Sequence, residues 1–590
     1  MTSAAAGVSL VPRITLDGGP LPTSLTGTLV ALRVVRPLRT TAWARLELAV
    51  DDSAHVLDPT RGIGAVKVGQ KVTVGGRPSD RPVVATVFEG TVTRIESVRG
   101  ERGGTRLVVT AQDATALLAS ETAQTFVDEG LASILGKIVQ SAGLRVDATG
   151  LPPAKVHYML QAGSALRFVD DVAQRTGSDW MLDGTTLRLW PASTPRPGAE
   201  HVTLRADEVA TCEVSQESGG PTRAVVTSWD PEAGAAVTGE HERKAVDGIA
   251  VSERVVLDST SFPLDADEAT RIARARLAGS GPVAARALVR RLVPLAPGSR
   301  LTLQHTWWPD DAEYVREVTT TWDRAGWSTE VVTGSRARTT LADLGGRAGD
   351  RGAAAYTHDG VVVGIVTALG AQNDARGAGR VKVEFPFLGR TITSDWARVA
   401  SAGGGEGRGL LVVPEVGDEV LVAFEGSDVR RPVVVTGLHS ERRKAPGTYP
   451  VEGSTVSRRA FTSRRGNLLE LVDGDSAAKD HVLLALPGGE TRLRLGGDAV
   501  DLTVPKGRPV KIQAGATRIV VGDDGSVTVE GTEITVRAQQ RLALEAAEIS
   551  VRAKGKLALE GADVSVKGQA KAALEAGGVT QVKGGMVQIN

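Results

Sequence analysis

The sequence predicts a mainly β, multidomain protein that ends in a trimeric, triple-stranded β-helix. Three observations predict it. Val-rich runs alternate apolar and polar residues between glycines, which number 69 in 590 residues, as expected of many short strands joined by turns. Few helical stripes interrupt that pattern. The tail "EITVRAQQRLALEAAEISVRAKGKLALEGADVSVKGQAKAALEA" writes one 15-residue sentence three times, beginning at Glu533, Glu548 and Asp563.

Length and composition bound the answer. A chain of 590 residues suggests about three to five domains. With 41% apolar and 23% charged residues the chain should fold, and with only 4% aromatics its cores must be built from Val, Leu, Ile and Ala. Basic and acidic residues balance at 69 each, which gives no electrostatic case for nucleic acid. The single cysteine, Cys212, allows neither a disulfide framework nor a Cys-based zinc site within one chain. The N-terminus lacks a basic region followed by an apolar run, so no secretory signal is expected. No stretch approaches a membrane-spanning length. Synthesis and assembly in the cytoplasm follow as the expectation, with export, if any, by another route.

In chain order, alternating runs from Val8 to about Gln112, such as "LTGTLVALRVVRPL" and "PVVATVFEGTVTRIESV", predict a first β-barrel over residues 1–120. Residues 121–255 form a helix-containing region. Leu131, Ile134, Leu135, Ile138 and Val139 make one helical stripe, with Gly143 as a stop. Leu166, Val169, Val172 and Ala173 make another, with Ser164 as N-cap and Gly177 as terminator. "DWMLDGTTLRLW" reads as a hairpin turning at Asp183-Gly184. Residues 256–345 open with a helix whose Asp265 and Glu268 have capping-box spacing, and continue as a second β-barrel region. "LADLGGRAGDRGAAA" reads as a linker. Within residues 346–440, five strands, including "LLVVPEVGDEVLVAFE", have the size of an oligonucleotide/oligosaccharide-binding (OB) barrel. A connector of weaker pattern spans 441–490 and a needle spans 491–590.

From Leu493 onward, apolar residues pair two apart, and successive pairs start seven to nine residues apart up to Leu574. Residues two apart share one face of a strand but point about 200° apart on a helix. A competing helical reading rests on "QQRLALEAAE", which is rich in helix formers. A stack of strands this narrow cannot close a core alone. A solenoid rung needs about 20 residues or more, whereas seven or eight make one side of a rung. Three chains pooling one side each would close a triangular prism, a rod of about 60 Å at about 4.8 Å per layer. The expected trimer core is Val527, Val529, Ile534, Val536, Leu542, Leu544, Ile549, Val551, Leu557, Leu559, Val564 and Val566.

"GRVKVEFPF", "SDWARVA", "SAGGGEGRG" and "PEVGDEVLVAFEGSDVRRPVVVTGLH", in that order, resemble the barrel of the VgrG and phage baseplate-spike family, the motif positions being Gly379, Arg380, Val381, Trp396, Pro414, Gly417 and Asp418. "ALRFVDDVAQRTGSDWMLDGTTLRLW" resembles the helix and hairpin of the phage tail-hub region, and the tail resembles the family's β-helical needle. The resemblance implies a structural homotrimer whose hub barrels lie beneath a hexameric inner tube, held among baseplate proteins. Its needle would seat a PAAR-repeat tip protein at the surface around Val587, Ile589 and Asn590, and it would carry cargo effectors. The opening "ITLDGGPLPTSLTGTLVALRV" looks closest to extracellular contractile injection systems, with type VI secretion and contractile phage tails as alternatives. A trimeric fibre or adhesin would share the tail but would not need the hub and barrel motifs.

No enzyme is expected. The eight histidines are scattered, and no zincin, nucleophile-elbow or P-loop motif occurs. There is no room for a lysozyme-like insert, and no effector domain is expected after Asn590. No cofactor or metal is expected either. Asp170/Asp171 and Asp310/Asp311 read as solvated carboxylates. "GGGEGRG" precedes a strand-like run, not the helix a phosphate cradle would open. "GDEV" reads as a tight turn into a strand.

Overall fold

A computed structural model describes residues 11–50, 66–79, 83–99, 104–153, 155–216, 221–231, 233–243, 255–258, 263–278, 283–304, 312–334, 358, 360–370, 379–389, 392–447, 451–452 and 454–589. The linker read at 341–355 and the pair Asp310/Asp311 lie outside the described residues. The chain divides into two units, residues 1–445 and 446–590.

The first unit is organised by a 13-stranded sheet. Leu29–Pro37 pairs antiparallel with Trp43–Val50 on one side and with Ala312–Asp323 on the other. The sequence reading expected a first β-barrel and a second β-barrel region here. The two β-regions are joined in one sheet, because Ala312–Asp323 offers one edge to Gly326–Thr333 and the other to Leu29–Pro37. Two cores nonetheless form on it. One gathers Leu32, Val34, Leu46, Val74, Leu107 and Val109 with Leu292 and Trp327 from the later region. The other gathers Leu204, Ala287, Leu301, Val315, Val318 and Val331.

Four helices are described. α1 (Thr23–Thr26) is a single turn that the sequence pattern does not mark. α2 (Leu131–Gln140) and α3 (Ala165–Thr176) bury the expected stripes, except that Leu166 only packs at the edge of the core and Phe168 takes the fully buried place. The Ser164 hydroxyl accepts from the Arg167 amide and Gly177 ends α3 at φ 65°, a left-handed cap that glycine adopts without strain. The hairpin Ser178–Asp183 and Thr186–Pro191 turns at Gly184, φ 59°. α4 (Ala266–Ala278) carries the expected reciprocal cap: the Glu268 amide donates to Asp265 at 2.7 Å, and the Leu264 amide donates to Glu268 at 2.8 Å. α4 packs Ala269, Ile272, Ala273 and Leu277 on a three-stranded sheet of Arg223–Asp230, Ala235–Glu242 and Val255–Asp258.

The second unit differs from the expected rod in its first part. Five strands, Arg458–Thr462, Leu468–Val472, His481–Ala485, Arg492–Gly496 and Val500–Thr503, form an antiparallel meander. Three more, Val510–Ala514, Thr517–Val521 and Val527–Glu530, form a second. The stretch read as a weak connector over 441–490 therefore holds three of these strands. The pairs from Leu493 to Val529 lie on strands that pair within the chain, not on successive layers of a parallel prism. The reason is turn chemistry. Gly515 (φ 59°) and Gly525 (φ 82°) adopt the left-handed conformation that a tight reversal needs. Beyond Gly525 no described residue has positive φ. After the last paired strand, Val527–Glu530, the chain runs extended, without helix or in-chain strand pairing, and bends at 532, 539–540, 547, 554–555, 562–563, 569–570, 577–578 and 585–586. The helical alternative for "QQRLALEAAE" is not realised. The parts with one bend per unit supply about eight layers, roughly 40 Å at about 4.8 Å each.

Gly239, on Ala235–Glu242, sits where a Cβ would fall inside the backbone of α4 at Ala269 and Thr270. Backbone cannot yield as a flexible side-chain tip can. Gly239→Ala should destabilise the first unit by about 1–3 kcal/mol, read as a lower denaturant midpoint; an unchanged midpoint would refute this close packing.

Candidate assembly surfaces

The five-stranded barrel runs Val381–Glu384, Val361–Leu369, Glu419–Phe424, Pro432–Gly437 and Arg398–Val399 in spatial order. Val366, Val381, Val383, Phe385, Val420, Val422 and Val434 fill it. Its core is not self-contained: Tyr158 and Leu160, from the strand Lys155–Ser164, complete it. The Tyr158 hydroxyl donates to the Thr393 carbonyl at 2.7 Å. Burial, with the nearby Asp395 charge, pushes this phenol above its ordinary value.

The motif positions named from the sequence fall around this barrel. Gly379 has φ 66°, the Arg380 carbonyl accepts from Gly370, and Val381 is fully buried. Lys382 lies 5.1 Å above the Trp396 ring. Gly417 (φ 94°) and Asp418, which accepts from the Glu415 amide at 2.8 Å, close the turn into Glu419–Phe424 as expected, with Pro414 half-buried just before it. "LLVVP" is not a strand: the Leu410 amide donates to the Ala402 carbonyl at 3.0 Å, but no strand ladder follows, and Leu411 is 85% exposed. "GGGEGRG" is a tight loop in which Gly405 and Arg408 exchange backbone hydrogen bonds of 3.0 and 3.1 Å.

Sequence reasoning missed the charge cluster that fixes the barrel to the helices. Arg430 Nη1 meets Glu268 of α4 at 2.9 Å, and Arg430 Nη2 meets Asp428 at 2.8 Å. Arg175 of α3 approaches Glu268 at 3.6 Å and Asp428 at 3.7 Å. Arg431 donates to the carbonyls of Trp229 and Pro263 at 2.8 and 3.0 Å. The one available signal was "SDVRRP", charges set between apolar strands. Burial alone would raise the Asp428 carboxyl; Arg430, by charge and hydrogen bonds, and then Arg175 outweigh it and hold it below its ordinary 3.8. Asp170, read as solvated, instead accepts from Arg39 at 2.8 Å, Trp180 at 3.1 Å and Gln174 at 2.8 Å, because α3 packs its side against those donors. The described histidines are dispersed: His157 lies between Asp128 and Asp395, His201 bonds Thr302, and His358 stacks near Phe424.

The second unit carries most of its strand apolar residues on one face, with Leu468, Leu483 and Val520 on the other. Across the first meander the register aligns Phe461, Leu469, Leu484, Leu493 and Leu502 in one row, with Leu471, Val482, Leu495 and Val500 in the next. Ile512, Ile519 and Val529 align in the second sheet, beside Val510, Val521 and Val527. The remaining expected core positions follow between the bends: Ile534/Val536, Leu542/Leu544, Ile549/Val551, Leu557/Leu559 and Val564/Val566, each 53–80% exposed in a single chain. Val587 and Ile589 are exposed, and Asn590 lies outside the described residues.

A barrel joined to α3, α4 and the strand Lys155–Ser164, followed in sequence by strands with exposed apolar rows, defines a β-structured assembly protein. The model of the type VI secretion system/phage-baseplate injector OB domain matches residues 362–439. The type VI secretion system spike protein VgrG3 of Vibrio cholerae is 30% identical over 127 residues, 20% of this chain and 12% of that protein. The actin cross-linking toxin VgrG1 of Vibrio cholerae is 29% identical over 110 residues, 18% of this chain and 10% of that protein. The matches thus span about a tenth of these relatives' length. A chain of the Francisella PdpA–VgrG complex shares the fold at TM-score 0.50 and 8% identity, over 88% of this chain and 87% of that one. Its barrel, residues 362–439, belongs to the type VI secretion system/phage-baseplate injector OB domain family. Among the described residues, no helix is long and apolar enough to cross a membrane.

Removing one partner of a buried charge cluster costs about 3–5 kcal/mol, so Asp428→Asn should lower first-unit stability by that order at neutral pH. The folded-state carboxyl is depressed, so its contribution is present above the ordinary value of 3.8 and is lost as pH falls through the lower folded value. Unfolding midpoints measured from pH 7 down to pH 2.5 should therefore drop below about pH 4 in the parent, and drop less in Asp428→Asn. Parallel curves would refute the assignment.

Proposed function

We propose that this chain is the central spike of a contractile injection system and that it acts mechanically, without catalysis. The observation that carries this is the row of exposed apolar residues in the second unit, from Phe461 to Ile589, in a chain that also holds a spike-type OB barrel. Exposed on one chain, that face becomes a core when three copies pool it. The proposed division follows the sequence reading: hub regions over 1–120, 121–255 and 256–345, the barrel over 346–440, and a needle reached through 441–490. The hub adapts the hexameric inner tube and baseplate proteins to the threefold needle. The end around Val587, Ile589 and Asn590 seats a PAAR-type tip. One fold neighbour was solved as a PdpA–VgrG complex, which supports an effector or accessory protein as a further partner. The N-terminal pattern favours an extracellular particle. A type VI apparatus is the second reading, favoured by the relative named as a type VI spike.

The native mass by light scattering tests the assembly. Three times the 61.5 kDa chain is expected; a stable folded monomer would overturn the proposal. Ile549→Asp with Val551→Asp places unpaired carboxylates in the pooled core, where burial of a charge is prohibitive. The double variant should lose the trimer while the first unit stays folded by circular dichroism. A heat-resistant trimer in that variant would remove these residues from the core.

A further inference from the structure

Beyond Gly525 the charges of the tail follow a rule of their own. In each unit the residues flanking and separating the apolar pair point to the opposite side of the strand. The first unit presents Glu533, Thr535 and Arg537; the second, Arg541, Ala543 and Glu545; the third, Glu548, Ser550 and Arg552. The order reverses at every unit and continues through Lys556 and Glu560, Asp563 and Lys567, and Lys571 and Glu575. Equivalent positions recur after eight, then seven residues, in step with the bends. No ion pair within the chain is formed by these charges among the described residues.

A three-unit rung of one chain would also match Glu533 with Lys556, but the described residues form no such in-chain stacking; three other neighbours remain for such a strand, and the charges distinguish them. If the chain folded back on itself, Arg537 would face Arg541 and Glu533 would face Glu545. If copies aligned unit on the same unit, Glu533 would face Glu533. Both place like charges opposite each other, which destabilises a strand pair. If a parallel strand from another copy is offset by one unit, Glu533 faces Arg541, Arg537 faces Glu545, and every later layer also pairs opposite charges. A threefold bundle produces this offset when each chain moves to the next side of the prism at each bend. The side it enters has just been left by a neighbouring copy one unit behind.

The upstream hairpins obey the opposite rule. In antiparallel register Arg494 faces Asp501, and Arg518 faces Glu530 with Nε 2.6 Å from the carboxylate. The charge order changes from one that suits in-chain pairing to one that suits pairing between copies at the point where left-handed glycines end.

We propose that the outward charges of residues 533–575 are an inter-chain register code, holding each unit against the next unit of a neighbouring copy. This rests on the trimeric spike reading. The test uses the full chain with Cys212→Ser, so that only introduced cysteines react. Ser550→Cys with Ala558→Cys places thiols at the middle of adjacent units. After mild oxidation, a covalent trimer on a non-reducing denaturing gel is expected, and Ser550→Cys alone should remain monomeric there. A native trimer that runs as monomers, or that links through Ser550→Cys alone, overturns the offset. Absence of a native trimer by light scattering overturns the spike reading and this proposal together. The charges themselves are tested by Glu548→Arg with Arg552→Glu, which gives that unit the order of both neighbours. The trimer should dissociate at a lower temperature than with Glu548→Gln and Arg552→Gln; equal losses overturn the code.

Discussion

Water must be excluded from one face of the second unit, and no layer of that unit does it. The first meander aligns Phe461, Leu484 and Leu493 on one side and the second aligns Ile519 and Val529 on one of its sides, while the units beyond carry exposed Ile, Leu and Val. A flat apolar sheet with open edges is otherwise an aggregation template. Each unit offers two side chains worth about 1.5–3 kcal/mol apiece on full burial. An exposed ion pair contributes about 0–1 kcal/mol. In the proposed trimer, apolar closure would therefore drive association, and the charges would choose among the alignments that closure leaves open. Pooling three copies would satisfy both demands in one geometry.

Where the chain pairs with itself and where it stops doing so follows a few backbone conformations. Gly515 and Gly525 at positive φ permit tight reversals, and the meanders that result are antiparallel. After Gly525 the turns are bends, and a bend carries the strand onward instead of back. The apolar pairing by itself does not distinguish these outcomes, because residues two apart share a face in either arrangement.

That ambiguity explains which parts of the fold were legible in the sequence. The helices were legible through stripes and caps: Ser164 and Gly177 bound α3, and Asp265 with Glu268 opens α4. The barrel was legible through its motif, including the turn at Gly417. The tail's apolar face was legible, but not its change from hairpins to bends, which depends on glycine φ values that a letter does not state. The strands at Leu469 and Val482 were hidden because irregular turns separate them. The joining of two β-regions into one sheet was not legible either, since Thr320 meets Val34 across some 280 residues of chain. The Arg430 cluster was invisible for the same reason: Glu268 and Arg175 reach it only in the folded unit.

That cluster bears on stiffness. Tyr158 and Leu160 complete the barrel core from outside it, Asp428 meets Arg175 of α3, and Arg430 and Arg431 tie the barrel to α4 and the carbonyls of Trp229 and Pro263. Apolar contact alone permits sliding, whereas a bidentate guanidinium between two carboxylates fixes direction as well as distance. Replacing such a cluster with apolar residues is often neutral for stability, so its presence is better explained by the geometry it enforces. On the spike reading the barrel is the transition between a hub under load and a needle that must not tilt. A joint with directional contacts on two helices and a shared core resists tilt in a way that a barrel on a flexible linker does not.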